Sequence, residues 1–247
     1  MAAVVAVANL KGGVGKSTIA VNLACALTAG GDDSLVVDAD TQGTSTFWKG
    51  QGQLPVRLTA MPLEDRAGSE SWLSRLLPRG DEEDQTRVRK WKRELKSARA
   101  SFVVVDCPPH VGLATRAAVS IADLVLVPVT GTAADVAATK PALQLVARAR
   151  ARRKDKGPRC LIIPSRVDRS TATGKVIEGI LKSFGEAIGP AIAQRVAFAD
   201  SVAFGTWIGE HAPDSPGHQE ILNLAECVRV MLPWATAPKS SSKAGKK

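Results

Sequence analysis

Six short runs, almost unbroken in Val, Ile and Leu, recur along this chain: Val4 to Ala8, Ser34 to Val37, Val56 to Ala60, Phe102 to Val105, Leu124 to Val129 and Cys160 to Ile163. Strands so uniformly apolar suit a parallel sheet covered on both faces, because neither side of the pleat is left for water. Helical stretches alternate with them at Ser17 to Ala29, Thr86 to Ala100, Leu113 to Ala122 and Ala133 to Arg152. The alternation predicts an α/β fold, a doubly wound, mostly parallel sheet with helices on both faces. Pro141 is expected to start or kink the last of these helices. Beyond Pro164 the pattern becomes more helical, over Thr173 to Phe184 and His218 to Met231. A single domain over residues 1–236 is expected, followed by a disordered basic tail, 237–247.

Between the first strand and the first helix lies Asn9-Leu10-Lys11-Gly12-Gly13-Val14-Gly15-Lys16-Ser17-Thr18. A strand, a glycine cluster and a helix N-terminus in succession aim backbone N–H groups at one spot and add partial positive charge there. Gly12, Gly13 and Gly15 let the main chain curl around phosphate oxygens, Lys16 would neutralise the outer phosphates, and the Ser17 hydroxyl would ligate Mg²⁺. The strict phosphate-loop pattern is not met, since its first glycine falls at Leu10. A glycine-rich turn in an unrelated α/β protein is the bland alternative. Gly-Lys-Ser set between a buried strand and a helix argues against it. Lys11 is one lysine more than such a loop needs.

Two acidic sites follow later strands. Phe102 to Val105 runs into Asp106-Cys107-Pro108-Pro109, which puts a carboxylate beside the loop. Asp106 could hold Mg²⁺ through a water, and the prolines would stiffen a turn that senses the γ-phosphate. Leu35-Val36-Val37 ends in Asp38-Ala39-Asp40-Thr41-Gln42-Gly43. We assign Asp40 to orienting the attacking water and Asp38 to the metal and loop network. A helix-capping aspartate and an acidic turn at the sheet's carboxyl edge are the plain alternatives.

Charge narrows the partners. The chain has 33 basic and 24 acidic residues, a net +9. Four of those positive charges, Lys239, Lys243, Lys246 and Lys247, lie in the tail. The remaining excess favours polyanions through phosphate contacts and counterion release. With no tyrosine, five Phe and five Trp, stacking on single-stranded bases has little to work with, so duplex DNA is the better expectation. Cys25, Cys107, Cys160 and Cys227 are scattered, with no CxxC pair, and read as reduced core residues of a cytoplasmic protein. No apolar run is long enough to span a bilayer, and neither signal peptide nor anchor is expected.

Taken together, Lys-Gly-Gly-Val-Gly-Lys-Ser, Asp-Ala-Asp-Thr-Gln-Gly and Val-Asp-Cys-Pro-Pro closely resemble, in this order, the motifs of the ParA/MinD family of deviant Walker A ATPases. Within it the chain is most similar to the small ParA-type partition and positioning ATPases. Gln194-Arg195, Ala197-Phe198 and Pro213-Asp214-Ser215 extend the resemblance over nearly the whole chain. It implies a P-loop fold and an ATP- and Mg²⁺-dependent homodimer in which two subunits sandwich nucleotide. Lys11 would reach across to the partner's phosphates, Lys16 would serve its own, and Asp40 would support the water. Nucleotide contacts are expected from Lys11, Gly12, Gly13, Val14, Gly15, Lys16, Ser17, Thr18, Asp106 and Pro108. Ser17, Asp38 and Asp106 are the expected metal set. Thr41 stands where members usually have Pro. Base contacts are expected at Ser165 and Arg166, where members often carry an Asn.

The resemblance also implies nonspecific binding of duplex DNA, slow hydrolysis, and stimulation by a ParB-like or other adaptor with a basic N-terminal peptide. Two basic runs compete for the DNA. Thr86 to Arg99 and Arg148 to Arg159 each hold seven basic residues and one acid. The expectation falls on the second, as Arg150, Arg152, Arg153 and Lys154, joined by Arg166, Arg169, Lys175 and Arg195. A MinD-like membrane ATPase would end in an amphipathic helix, which the Lys/Ser tail cannot form. A nitrogenase-reductase-like protein would need paired cluster cysteines. A biosynthetic P-loop synthetase would couple ATP to a small product. The chain starts at its first strand, so no N-terminal helix-turn-helix domain is expected. The reading that results is a cytoplasmic, nucleoid-associated ATPase switch that segregates or positions a cargo.

Overall fold

The first apolar run becomes β1 (Ala3–Val7), fully buried along its length, and the helix after the glycine loop becomes α1 (Lys16–Ala29). The computed structural model describes residues 2–65, 82–168 and 170–236. The chain continues through β2 (Ser34–Asp38), α2 (Thr44–Gln51), β3 (Arg57–Ala60), α3 (Glu82–Ser97), β4 (Phe102–Asp106), α4 (Leu113–Ile121) and β5 (Leu124–Val129). Then follow α5 (Ala133–Arg152), β6 (Arg159–Val167), α6 (Ala172–Lys182), β7 (Ala187–Ile188), β8 (Ile192–Ala193), α7 (Val196–Ala203), α8 (Ile208–His211) and α9 (Pro216–Met231). The tail, 237–247, lies outside the described residues.

Strands run in the order β3-β2-β4-β1-β5-β6-β7, with β8 also on β6, and among the described residues every pairing is parallel. Each crossover therefore carries the chain back over a face of the sheet, and helices cover both. One core packs α1, α2, α8 and α9 through Leu23, Trp48, Ile208 and Leu224. The other packs α3, α4, α5 and α6 through Trp91, Ala118, Val146 and Ile177. α1 is buried nearly all round, with Ile19 to Leu27 continuous in the core, because the sheet, α2 and α9 enclose it.

Register sets up the site. Val7 pairs with Asp106, and Asp106 with Asp38, so three neighbouring strands end in one row at the carboxyl edge of the sheet. Adjacent strands are about 4.8 Å apart, which brings both acids close to the start of the glycine loop.

Two local expectations change. Pro141 does not start its helix: α5 begins at Ala133, under a reciprocal capping box between Thr132 and Asp135, and runs as one element to Arg152. Proline is tolerated there because the carbonyl it deprives of a donor belongs to exposed Ala137 and can face water. β6 runs past Pro164 to Val167, because at Ser165 its partner changes from β5 to β8. A residue lacking N–H fits a strand where the ladder changes hands.

Candidate functional site

The loop is built from its backbone outward. Gly13 and Gly15 have φ of 74° and 90°, the left-handed region open to glycine. A Cβ on Gly15 would also stand 2.9 Å from Ser165 Oγ. Asn9, buried, anchors the loop's entry: its Nδ2 donates to Pro128 O at 2.7 Å, and its Oδ1 accepts from Lys11 N at 3.2 Å. Val14 is buried beneath the loop, while Gly12 and Gly13 are open to solvent. Ser17 and Thr18 open α1, both half-buried.

The two lysines point to different places. Lys16 is 7% exposed, and its Nζ donates to Lys11 O at 3.0 Å, across the mouth of its own loop. Burial pulls its pKa down, opposed by Asp106, Cys107 and Asp40. The Lys11 ammonium instead forms an ion pair with Asp135 in the first turn of α5. The Asp135 carboxylate also accepts from Thr130 Oγ1 at 2.5 Å and from Thr132 N at 3.4 Å, so it ties the end of β5, the α5 cap and Lys11 together.

Asp106 is the buried acid of the site. Its Oδ2 accepts from Ser45 Oγ at 2.7 Å, whereas its Oδ1 is buried without a hydrogen-bond partner. Burial pushes its pKa up to about 6; the Ser17 and Ser45 hydroxyls and Lys16 oppose, and Asp38 adds to the rise. An orphaned carboxylate oxygen beside the Ser17 hydroxyl is a donor set that suits a hard divalent cation such as Mg²⁺. Asp38, fully buried, works on the loop: Oδ2 accepts from Thr46 N and Thr46 Oγ1, both at 2.8 Å, and Oδ1 accepts from Asp40 N at 3.2 Å. It thereby starts α2. Asp40 is half-buried, accepts from Gln42 N at 3.0 Å, and lies close enough to Lys16 to act on its charge. Pro108 is buried at the following turn, with His110 O beside it accepting from Thr115 Oγ1 at 2.8 Å.

Ser165 and Arg166, expected at the base, both lie against the loop. Arg166, with φ of 53°, donates from Nη1 to Gly13 O and from Nε to Gln194 Oε1, each at 2.7 Å. Beyond it an open cleft of about 450 Å³ is lined by Val167, Asp168, Gln194, Arg195 and Glu220.

The expected DNA set is not brought together. Arg150, Arg152, Arg153 and Lys154 end α5 near the start of β6, whereas Arg166 lies at its other end and Lys175 and Arg195 follow. Arg166 lies seven positions along the strand from Arg159, roughly 23 Å. Two of the first group are already matched to acids. Arg150 makes a two-pronged pair with Glu186, at 2.5 and 3.0 Å, and Arg153 pairs with Asp155 at 2.7 Å. Arg195 pairs with Glu220 at 2.6 Å, and Arg169 lies outside the described residues. Asn9, Ser45, Thr46 and Asp135 were not singled out from sequence. Their partners are distant backbone groups or other polar side chains, and no spacing rule reveals those.

With this geometry in view, comparisons with known proteins agree. Residues 5–208 match the CobQ/CobB/MinD/ParA nucleotide binding domain. The chromosome-partitioning ATPase Soj of Thermus thermophilus is 32% identical over 238 residues, covering 90% of this chain and 93% of that protein. The sporulation initiation inhibitor protein Soj of Bacillus subtilis is 28% identical, covering 92% and 98%. In fold, the septum site-determining protein MinD of Pyrococcus horikoshii, solved with Mg-ADP, superposes with a TM-score of 0.72 at 19% identity, covering 96% of this chain and all of that one. A glycine loop at the head of a central parallel strand, two acids in register beside it and a sequence match over most of the chain lead to one conclusion: the chain belongs to the CobQ/CobB/MinD/ParA family of nucleotide-binding domains.

Proposed function

We propose that this protein is an ATPase that dimerises around ATP, binds duplex DNA without sequence preference, and uses hydrolysis to segregate or position a cargo. The observation that carries the reading is the division between the two loop lysines. Lys16 is turned into its own loop, while the Lys11 ammonium is held away from it on Asp135. A cation kept off its own cradle can be delivered to another subunit's phosphates, so transition-state charge is compensated only in the paired state.

The residues take roles accordingly. Backbone N–H groups from Gly12 to Thr18 bind phosphate, and Lys16 offsets its charge. Ser17 and Asp106 would hold a magnesium ion, which would supply positive charge to offset that of the phosphates. Asp40 orients the water, and Asp38 keeps Asp40 and the start of α2 in place. Arg166 closes over the loop, and the base end of the nucleotide enters the cleft beyond it. Asp135 acts as a rest for Lys11 until a second subunit arrives. Relatives include a chromosome-partitioning ATPase and, over 59% of this chain, the maintenance of carboxysome distribution protein A of Halothiobacillus neapolitanus. Both names suit a positioning role; to it we add an adaptor that stimulates slow turnover and the nucleoid as the surface.

Size-exclusion chromatography with light scattering tests the switch. Asp40→Ala with ATP and Mg²⁺ is expected to accumulate as a dimer. Lys11→Ala is expected to bind ATP as a monomer and lose hydrolysis. A Lys11→Ala variant that turns over ATP at the parental rate would exclude delivery of Lys11 to a partner.

A further inference from the structure

Helix α3 has one face that the nucleotide chemistry does not use. Asp84, Trp91 and Leu95 are buried and, with Val88 half-buried, point it into the core; Trp91 Nε1 donates to Met61 O at 2.8 Å, and Arg87 is tied to Asp84 at 3.0 Å and to Glu64 O. At about 100° per residue, the opposite face carries Arg89, Lys90, Arg93 and Lys96. All four are exposed, and among the described residues none makes an ion pair. From Gln85 onward the helix has one acid, Glu94, which stands one turn from Lys90 and off the row formed by Arg89, Arg93 and Lys96. Arg99 follows just beyond the helix, also exposed. The cations crowd each other: half-buried Lys92 has its pKa pulled down by burial and then by Lys96.

We infer that this face of α3 is the surface that holds the duplex DNA backbone. The inference rests on the proposed DNA-binding function and assigns its site to the basic run that sequence reasoning set aside. Arg89, Arg93 and Lys96 are spaced i, i+4, i+7, a straight row spanning roughly 10 Å, which fits a run of phosphates. Two of the three are arginines, whose planar forks suit phosphate oxygens. The competing set, Arg148 to Arg159 with Arg166, Lys175 and Arg195, is divided between two ends of β6, and Arg150 and Arg153 within it are matched to Glu186 and Asp155. A lipid surface fits α3 less well, because interfacial helices need a free apolar face. The exposed large apolar residues described are Phe47, Val176, Ile180, Val196, Phe204, Val230 and Trp234, and none is on α3.

The test is fluorescence anisotropy of a labelled random-sequence duplex, titrated with the full chain, ATP and Mg²⁺ at several salt concentrations. Replacing Arg89, Arg93 and Lys96 together by Ala should lower affinity and reduce the slope of log K against log salt by about 3, near 0.9 for each lost phosphate contact. ATP-dependent dimerisation and thermal stability should be unchanged, since all three side chains are exposed. An Arg89→Lys, Arg93→Lys variant should keep the slope, which separates charge from packing. Arg152→Ala with Lys154→Ala should bind as the parent does. A triple variant with the parental slope overturns the α3 assignment and leaves the DNA function standing. A parent that does not bind duplex overturns both. Binding to phosphatidylserine vesicles in place of duplex, lost in the triple variant, also overturns the assignment by giving the face to lipid.

Discussion

Asp106 keeps a carboxyl in a place hostile to its charge. Its folded pKa of about 6 lies above the unfolded value, mainly through burial. Between about pH 4 and pH 6 the folded state holds a proton that the unfolded chain has released, so stability falls as pH rises through that window. In nucleotide-free, divalent-free protein, Asp106→Asn is expected to raise Tm near neutral pH, by up to roughly 3 kcal/mol of stability. The difference should close as pH falls towards about 4. Thermal denaturation over a pH series reads this directly, and a gap that stays constant with pH would show an ordinary carboxyl. At this scale, the residues that carry chemistry in the loop were legible because Gly, Lys, Ser and Asp occur at fixed offsets from strand ends. Asn9 and Asp135 were not. Asn9 is bonded to a carbonyl 119 residues away, and the Lys11–Asp135 pair joins a loop to the head of α5, which only the finished sheet brings together.

Elements with continuous apolar content were read nearly to the residue, as in β5 over Leu124–Val129. α2 was missed because only Ser45 and Trp48 of its eight residues are buried, so it has no stripe to read. What starts it is Asp38, which bonds both the N–H and the hydroxyl of Thr46, and what anchors it is Trp48, whose Nε1 donates to Thr206 O at 2.9 Å. α5 starts by a different device, the Thr132 and Asp135 capping box. Thr132→Ala is expected to cost about 1 kcal/mol in chemical denaturation, the usual worth of such a cap. The change should also loosen Asp135, and with it the rest position of Lys11. If stability is unaltered, the cap is not what fixes the head of α5.

At the scale of the whole molecule, parallel pairing and its two helical layers followed from the uniform apolar runs, whereas strand order did not. Order depends on which crossover passes β1, and no local pattern encodes that. A nucleotide that binds only the folded chain stabilises all of it at once. ATP with Mg²⁺ at a hundred times its Kd is expected to add about 2.7 kcal/mol and raise Tm by several degrees in differential scanning fluorimetry. Lys16→Ala should abolish the shift; a shift of parental size would place the nucleotide elsewhere. The central position of β1 has a further consequence, for the chain as it is being made. β1 emerges from the ribosome before either of its neighbours, Phe102–Asp106 on one side and, starting at Leu124, β5 on the other. Roughly a hundred residues must be translated before the first of these arrives, about five to twenty seconds at ordinary speeds of synthesis. For that interval a wholly apolar strand has two bare edges, each a template for a neighbouring nascent chain. Translation speed and chaperone cover between β1 and β5 thus bear on yield, independently of any contact in the finished site.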